Sequence, residues 1–321
     1  MTADLLQVRV AGRKEEAADV CSFVLVDAGG GELPAFSAGS HIDVHTGEGL
    51  VRQYSLCGDP AERRSYRISV KREPSSRGGS RWMHERLREN DILAIGAPRN
   101  NFMLNEDAAR SVLIAGGIGI TPLLSMALRL EALGKAFELQ YFSRSIAHTA
   151  FHDLLSQRKY ADRVGFHYAL EPEAVRAYLR KHLWHRQEGA ELYLCGPRPF
   201  MDLVEQTAAI TWPPEAVHLE YFGADPASLS GPRDSFTVRL ARSGGECRVG
   251  PEQTIVQALA GCGIQVTTSC EQGVCGTCLT GVLEGQPDHR DVFLTDEERA
   301  EGDRMLPCVS RARSEVIVLD L

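Results

Sequence analysis

Residues 269–278 read Ser269-Cys270-Glu271-Gln272-Gly273-Val274-Cys275-Gly276-Thr277-Cys278, and Leu306-Pro307-Cys308 follows near the carboxyl end. Cys-x4-Cys-x2-Cys with one distant cysteine is the spacing that brings four thiolates onto the two irons of a [2Fe–2S] cluster. Such a loop must turn tightly and offer backbone N–H groups to sulfur, and Gly273 and Gly276 stand between the ligands. Three other readings compete. Cysteine is often a small core residue, but the glycine wrapping has no packing purpose. Tetrahedral zinc also takes four cysteines, yet its structural sites usually pair two short knuckles, whereas Cys308 stands alone. A Rieske centre takes two histidine ligands, and no Cys-x-His pair occurs. Cys270, Cys275, Cys278 and Cys308 are the metal-ligand candidates.

Upstream of the cysteine loop, 235–240 and 246–249 read as strands and 254–261 as a helix. Residues 223–234 lack periodicity and are rich in small residues, the composition of a linker. Between 105 and 222 apolar strands alternate with amphipathic helices. Strands are expected at 111–115, 137–142, 164–170, 191–195 and 217–221, with helices at 121–133, 149–157, 172–182 and 197–210. That alternation predicts a doubly wound parallel sheet. The first 104 residues differ again: short β-type runs at 6–10, 21–26, 41–45, 51–56, 66–71 and 91–95, with one helix at 80–88, predict a small antiparallel barrel. Three domains result, at 1–104, 105–228 and 229–321.

Composition narrows the class. The 321 residues carry 35 basic against 43 acidic side chains, a net charge of −8. This is a poor surface for nucleic acid or anionic membrane, so neither partner is expected. The amino end, Met1-Thr2-Ala3-Asp4-Leu5-Leu6, lacks a basic start before an apolar stretch, so no signal peptide is expected. Residues 111–128 are uncharged, but Gly116, Gly117, Gly119 and Pro122 divide them into strand, turn and helix rather than a membrane span. A cytoplasmic monomer is expected. Nine cysteines do not make a disulfide framework there, and Cys21, Cys57, Cys195, Cys247 and Cys262 are scattered.

Further segments carry chemistry. Arg52-Gln53-Tyr54-Ser55-Leu56 ends a predicted strand and offers a cation, hydrogen-bonding groups and an aromatic ring within a few residues, the types that hold a flavin. Arg77-Gly78-Gly79-Ser80 opens a helix, where N–H groups and the positive dipole end can face an anion; a plain glycine loop capped by Ser80 is the alternative. With Arg52 it outlines a site for one terminal phosphate. Ala115-Gly116-Gly117-Ile118-Gly119-Ile120-Thr121-Pro122 follows a strand and opens a helix, with Thr121 suited to cap it and Pro122 to its first position. Leu194-Cys195-Gly196-Pro197 repeats this at a later strand end. Ligands of α/β sheets bind beyond the carboxyl ends of strands, so both loops belong on one rim. Cys195 has no base nearby in sequence and reads as a buried thiol. The second strand of the set ends Ser143-Arg144, with no acidic residue for a ribose hydroxyl; these two residues could accept a 2′-phosphate.

The segment 269–278 resembles a plant-type ferredoxin domain. Pro287-Asp288-His289-Arg290-Asp291 and Cys308-Val309-Ser310-Arg311-Ala312 resemble, more narrowly, the phthalate dioxygenase reductase and vanillate O-demethylase reductase family. The resemblance covers nearly the whole chain. It implies an antiparallel β-barrel flavin domain, an α/β doubly wound nicotinamide domain and an α+β plant-type ferredoxin domain, in that order. It implies FMN at Arg52, Gln53, Tyr54, Ser55, Arg77, Gly78, Gly79 and Ser80, with Ser69, Val70 and Lys71 at the isoalloxazine edge; the bare residues leave FAD open. Gly116, Gly117, Thr121, Cys195, Gly196 and Pro197 would receive the coenzyme, with Phe222 as an aromatic over the flavin. It favours NADH, while Ser143 and Arg144 leave NADPH open.

The expected activity is electron transfer from NADH to FMN, then to [2Fe–2S], then to a Rieske-type terminal oxygenase. Hydride transfer needs alignment and exclusion of water rather than an acid or base, so Thr121, Cys195 and Phe222 are expected near the reacting atoms without acid–base roles. Two rivals differ in class: a free-standing flavin reductase or NADH oxidase, and a non-catalytic iron–sulfur scaffold. The intact cysteine set argues against the first, and the 52–56 and 116–122 segments against the second.

Overall fold

The computed structural model describes residues 5–47, 49–74, 78–224, 229 and 234–321. Arg77 and most of the expected linker lie outside them. The chain packs as two compact units, Met1–Glu220 and Tyr221–Leu321.

The first unit holds two sheets. β1 (Leu6–Ala17), β2 (Val20–Asp27), β3 (His41–His45), β4 (Val51–Ser55), β5 (Ser65–Lys71) and β6 (Ile92–Ile95) form an antiparallel sheet in the order β4-β3-β6-β1-β2-β5. A bridge between Leu56, just past β4, and Ile68 of β5 joins the two edges and closes the barrel, which removes the exposed edges a flat sheet would present. Alternate residues point inward, so Val8, Val10, Phe23, Leu25, Ile42 and Ile68 are buried together. The helix α1 (Gly79–Glu85) packs beside β5.

The second sheet is parallel throughout, in the order β11-β10-β7-β8-β9: β7 (Arg110–Gly116), β8 (Phe137–Ser143), β9 (Val164–Tyr168), β10 (Ala190–Cys195) and β11 (Val217–Glu220). Helices α2 (Ile120–Ala132), α3 (His152–Leu155), α4 (Pro172–Leu183) and α5 (Arg198–Ala208) lie between its strands in sequence. Strand order reverses at β7, which places the topological switch point between β7 and β10. Phe102, Ala38 and Cys57 from the first hundred residues share one core with Leu113, Leu123 and Tyr141, so barrel and parallel sheet are fused through apolar packing.

The second unit contains β12 (Phe236–Leu240), β13 (Glu246–Val249), α6 (Ile255–Gly261), β14 (Thr280–Glu284), β15 (Pro287–Asp288), α7 (Asp296–Glu301), β16 (Arg304–Met305), β17 (Arg311–Ala312) and β18 (Val316–Leu319). Five strands form a mixed sheet, β13-β12-β18-β14-β16, with β12 parallel to β18. Both helices begin in full capping boxes, Thr254 with Gln257 and Thr295 with Glu298.

Several local expectations need correction. The helix expected over 149–157 shrinks to four residues, because Phe151 takes φ 61° and the Thr149 hydroxyl is engaged by the Ser143 hydroxyl and the Ser145 carbonyl. The alternative reading of Ser80 as a cap on α1 does not hold; Gly78 precedes the helix, and the Ser80 hydroxyl accepts the Glu73 N–H at 3.2 Å. Thr121 does not cap α2 either. A 3-10 turn over Gly117–Gly119 starts the helix early, so Thr121 and Pro122 are its second and third residues, and the Thr121 hydroxyl donates to the Ile118 carbonyl. Cys247 and Cys262, scattered in sequence, are joined as a disulfide.

Candidate functional site

Arg52 and Ser55 lie on β4, and Gly78 immediately precedes α1; the fold brings β4 and the start of α1 into contact. A Cβ on Gly79 would stand 2.6 Å from Arg52 Cγ and 2.9 Å from its Nε. The arginine stem occupies the place a side chain at 79 would take, so a larger residue there would have to displace it. The Arg52 guanidinium donates to the Val51 carbonyl at 2.7 Å. Gln53 donates to Asp43 at 3.0 Å, and Tyr54 packs against the barrel core. Ser69, Val70 and Lys71 end β5, where the Val70 carbonyl is 2.8 Å from His84 Nε2 and Lys71 pairs with Glu73.

The two glycine loops of the parallel sheet meet at its carboxyl rim, as the sequence predicts. Gly116 closes β7, Gly117 opens the turn, and a Cβ on Gly119 would fall 2.1 Å from the Cys195 carbonyl oxygen. A Cβ on Gly196 would stand 3.0 Å from Gly116 Cα. Pro197 immediately precedes α5. Cys195 is fully buried, and burial together with the nearby Glu220 carboxyl pushes its thiol well above the ordinary range. It is no thiolate nucleophile.

Glu220 is the residue that sequence reasoning missed. It ends β11 in register with Cys195 and accepts a hydrogen bond from the Ser55 hydroxyl at 3.4 Å. Part of the residue reaches the surface, yet desolvation of the carboxyl pushes its pKa up to about 8, against a smaller lowering by Ser55. It is therefore mostly a neutral acid at pH 7. The available signal was an acidic residue at the carboxyl end of an apolar strand, beside the switch point.

Ser143 and Arg144 are both occupied. The Ser143 hydroxyl is 2.7 Å from that of Thr149, and Arg144 reaches across to Asp19, in the β1–β2 turn, at 3.0 Å. Phe222 lies two residues beyond β11, in the second unit, and is partly exposed.

In the second unit the four candidate cysteines gather as two pairs. Cys270 and Cys275 hydrogen-bond to each other, as do Cys278 and Cys308. These contacts lower the Cys275 and Cys278 thiols and raise those of their partners. The N–H of Gln272 points to Cys270 Sγ at 3.3 Å and that of Thr277 to Cys275 Sγ at 3.5 Å. Two bridged irons take two thiolates each. The donor set fits a [2Fe–2S] cluster.

Known proteins agree with this geometry. Residues 238–313 match the family model described as a 2Fe-2S iron-sulfur cluster binding domain. The chain is 45% identical to a vanillate O-demethylase oxidoreductase of Pseudomonas sp. (strain HR199 / DSM 7063), over 99% of this chain and 100% of that protein. It is 39% identical to the phthalate dioxygenase reductase of Burkholderia cepacia, over 98% and 97%. A solved structure of phthalate dioxygenase reductase, described as modular for electron transfer from pyridine nucleotides to [2Fe-2S], superposes with a TM-score of 0.82 at 38% identity, over 99% of this chain and 98% of that one.

Barrel, parallel sheet and paired cysteines thus define an iron–sulfur flavoprotein oxidoreductase of three domains. The chain belongs to the phthalate dioxygenase reductase and vanillate O-demethylase oxidoreductase family. Among the described residues, no helix is long and apolar enough to cross a membrane.

Proposed function

We propose that this chain is the reductase component of a Rieske-type aromatic oxygenase or O-demethylase system, passing electrons from NADH through FMN and [2Fe–2S] to the terminal oxygenase. The observation that carries the reading is the pairing of the cysteines downstream of two nucleotide-type sheets. Full-length likeness to reductase subunits such as phthalate 4,5-dioxygenase reductase of Pseudomonas putida supports it. Domain boundaries at 104/105 and 228/229, a monomeric state and a cytoplasmic site complete the proposal.

Bound flavin and cluster would supply the conversion of one hydride into two single electrons. Arg52, with Gly79 against its stem, would hold the terminal phosphate with Gly78, which favours FMN. Gln53, Tyr54 and Ser55, with Ser69, Val70 and Lys71, would line the ring system. Gly116, Gly117 and Gly196 would let the coenzyme approach the backbone closely, between Thr121 and Cys195. A neutral Glu220 beside Ser55 would keep a full negative charge away from the reacting ring. Because Ser143 and Arg144 already have partners in Thr149 and Asp19, a 2′-phosphate would have to displace them, which favours NADH.

The test is reconstitution. The purified holoprotein, given NADH, should reduce a purified Rieske oxygenase in single-electron steps, and NADPH should serve poorly. Rapid NADH oxidation by oxygen or free flavin, with no reduction of the oxygenase, would favour the free-standing flavin reductase instead.

A further inference from the structure

The cysteine ligands come from two separate segments, and something must set them against each other. The Cys270–Cys278 loop supplies three and the Cys308 segment one, and both rest on residues 291–293. The Val292 N–H donates to the Gly273 carbonyl at 3.0 Å. Gly273 has φ +71°, and a Cβ there would stand 3.0 Å from Asp291 Cα; one on Gly276 would strike the Phe293 ring at 2.3 Å. The loop therefore sits directly on this segment at both of its inter-cysteine glycines.

Asp291 binds the other segment. Its side chain is 5% exposed or less, yet it is polar and well satisfied. Oδ2 accepts the Phe293 N–H at 3.2 Å and the Leu294 N–H at 2.9 Å, and Oδ1 accepts the Ser310 hydroxyl at 3.2 Å. Ser310, two residues after Cys308, is fully buried and itself accepts the Arg290 N–H at 3.2 Å. His289 Nδ1 stands 3.8 Å from Oδ1. Buried polar groups persist when their partners are complete, and such a network fixes one geometry where apolar packing would tolerate several.

We infer that Asp291 is a positioning residue for the electron-transfer centre, its carboxyl group holding the Cys308 segment in register with the Cys270–Cys278 loop through Ser310. The inference rests on the reading that these four cysteines carry the cluster.

Full-length holoprotein with Asp291→Ala, Asp291→Asn or Ser310→Ala, and the Asp291→Ala/Ser310→Ala double variant, tests it. The readouts are iron release to a ferrous chelator and the EPR spectrum of the dithionite-reduced protein. Asp291→Ala should release iron roughly ten-fold faster, as expected for buried N–H and O–H donors left unpaired, and should shift or broaden the EPR signal. Asp291→Asn, which keeps one acceptor oxygen, and Ser310→Ala should fall between it and the parent. The double variant should lose less than the sum of the two single variants, because the Ser310–Asp291 contact is lost in each, while the Arg290 N–H that Ser310 accepts adds a smaller loss of its own. Arg311→Lys is the stability control, because Arg311 donates to the Gln253, Asp234 and Gly250 carbonyls; it should lower the melting temperature without altering the EPR line shape. Should Asp291→Ala not fold, the asparagine and serine variants carry the test. Parent-like iron release and EPR in these variants, or strict additivity in the double variant, overturns the inference. A parent protein that contains no iron or acid-labile sulfide overturns instead the cluster reading beneath it.

Discussion

The Ser55 hydroxyl donates to the Glu220 carboxyl across 3.4 Å, joining the last residue of β4 in the barrel to the last residue of β11 in the parallel sheet. Two strand ends from different sheets thus meet at one polar contact beside the buried Cys195. Because burial raises the Glu220 pKa to about 8, this contact joins a hydroxyl to a neutral acid through the acidic and neutral range.

Stability should follow that protonation. A carboxyl whose folded pKa lies above its unfolded value favours the folded state at low pH and loses that favour as pH rises from about 4.5 toward 8. The melting temperature should therefore decline across that window, and Glu220→Gln, which cannot ionise, should flatten the decline. Parallel pH profiles of parent and variant would mean that Glu220 does not titrate in this range.

Much of this architecture was legible because it rests on local signals. The 111–122 stretch reads as strand, glycine turn and helix from its residues alone, and the meeting of Gly119 with Cys195 follows from the rim rule for parallel sheets. Glu220 was harder to read: one acidic residue at the end of an apolar strand is a weak signal, and its partner lies 165 positions away. The pairing of Cys247 with Cys262 was equally hidden, since only the fold of β13 against α6 brings them together. Thr121 looked like a cap because a 3-10 turn ahead of a helix leaves no mark in the sequence.

Arg52→Ala should weaken flavin retention. On the proposed reading the substitution removes a charge-assisted contact to phosphate, worth about 1.5–3 kcal/mol, so affinity should fall roughly ten- to a hundred-fold. It also empties the space beside Gly79 that the arginine stem fills. Flavin occupancy after dilution and gel filtration measures the loss, and full occupancy would place the phosphate elsewhere.

Arg144→Asp should sharpen the preference for NADH. The new carboxylate would face Asp19 and any 2′-phosphate alike, and a like charge at a solvent-exposed site costs about 1 kcal/mol. The ratio of kcat/KM for NADPH to that for NADH should drop roughly five-fold. A ratio that does not move would put Arg144 outside the ribose pocket and leave it simply as the ion-pair partner of Asp19.

Cys275→Ser tests the order of electron flow. Serine replaces a soft thiolate in the Cys270–Cys275 pair, so iron content should fall sharply. The barrel and parallel sheet belong to the other compact unit and have their own cores. Flavin bleaching by NADH should therefore persist, along with reduction of a small two-electron acceptor. Reduction of cytochrome c or of a Rieske oxygenase should collapse, because those acceptors take single electrons from the cluster. If the variant loses its iron and still feeds the oxygenase at the parent rate, the flavin donates directly and the second unit serves only for docking. Loss of flavin bleaching as well would mean that the two units fold as one cooperative body, and differential scanning calorimetry would then show a single transition where two are expected.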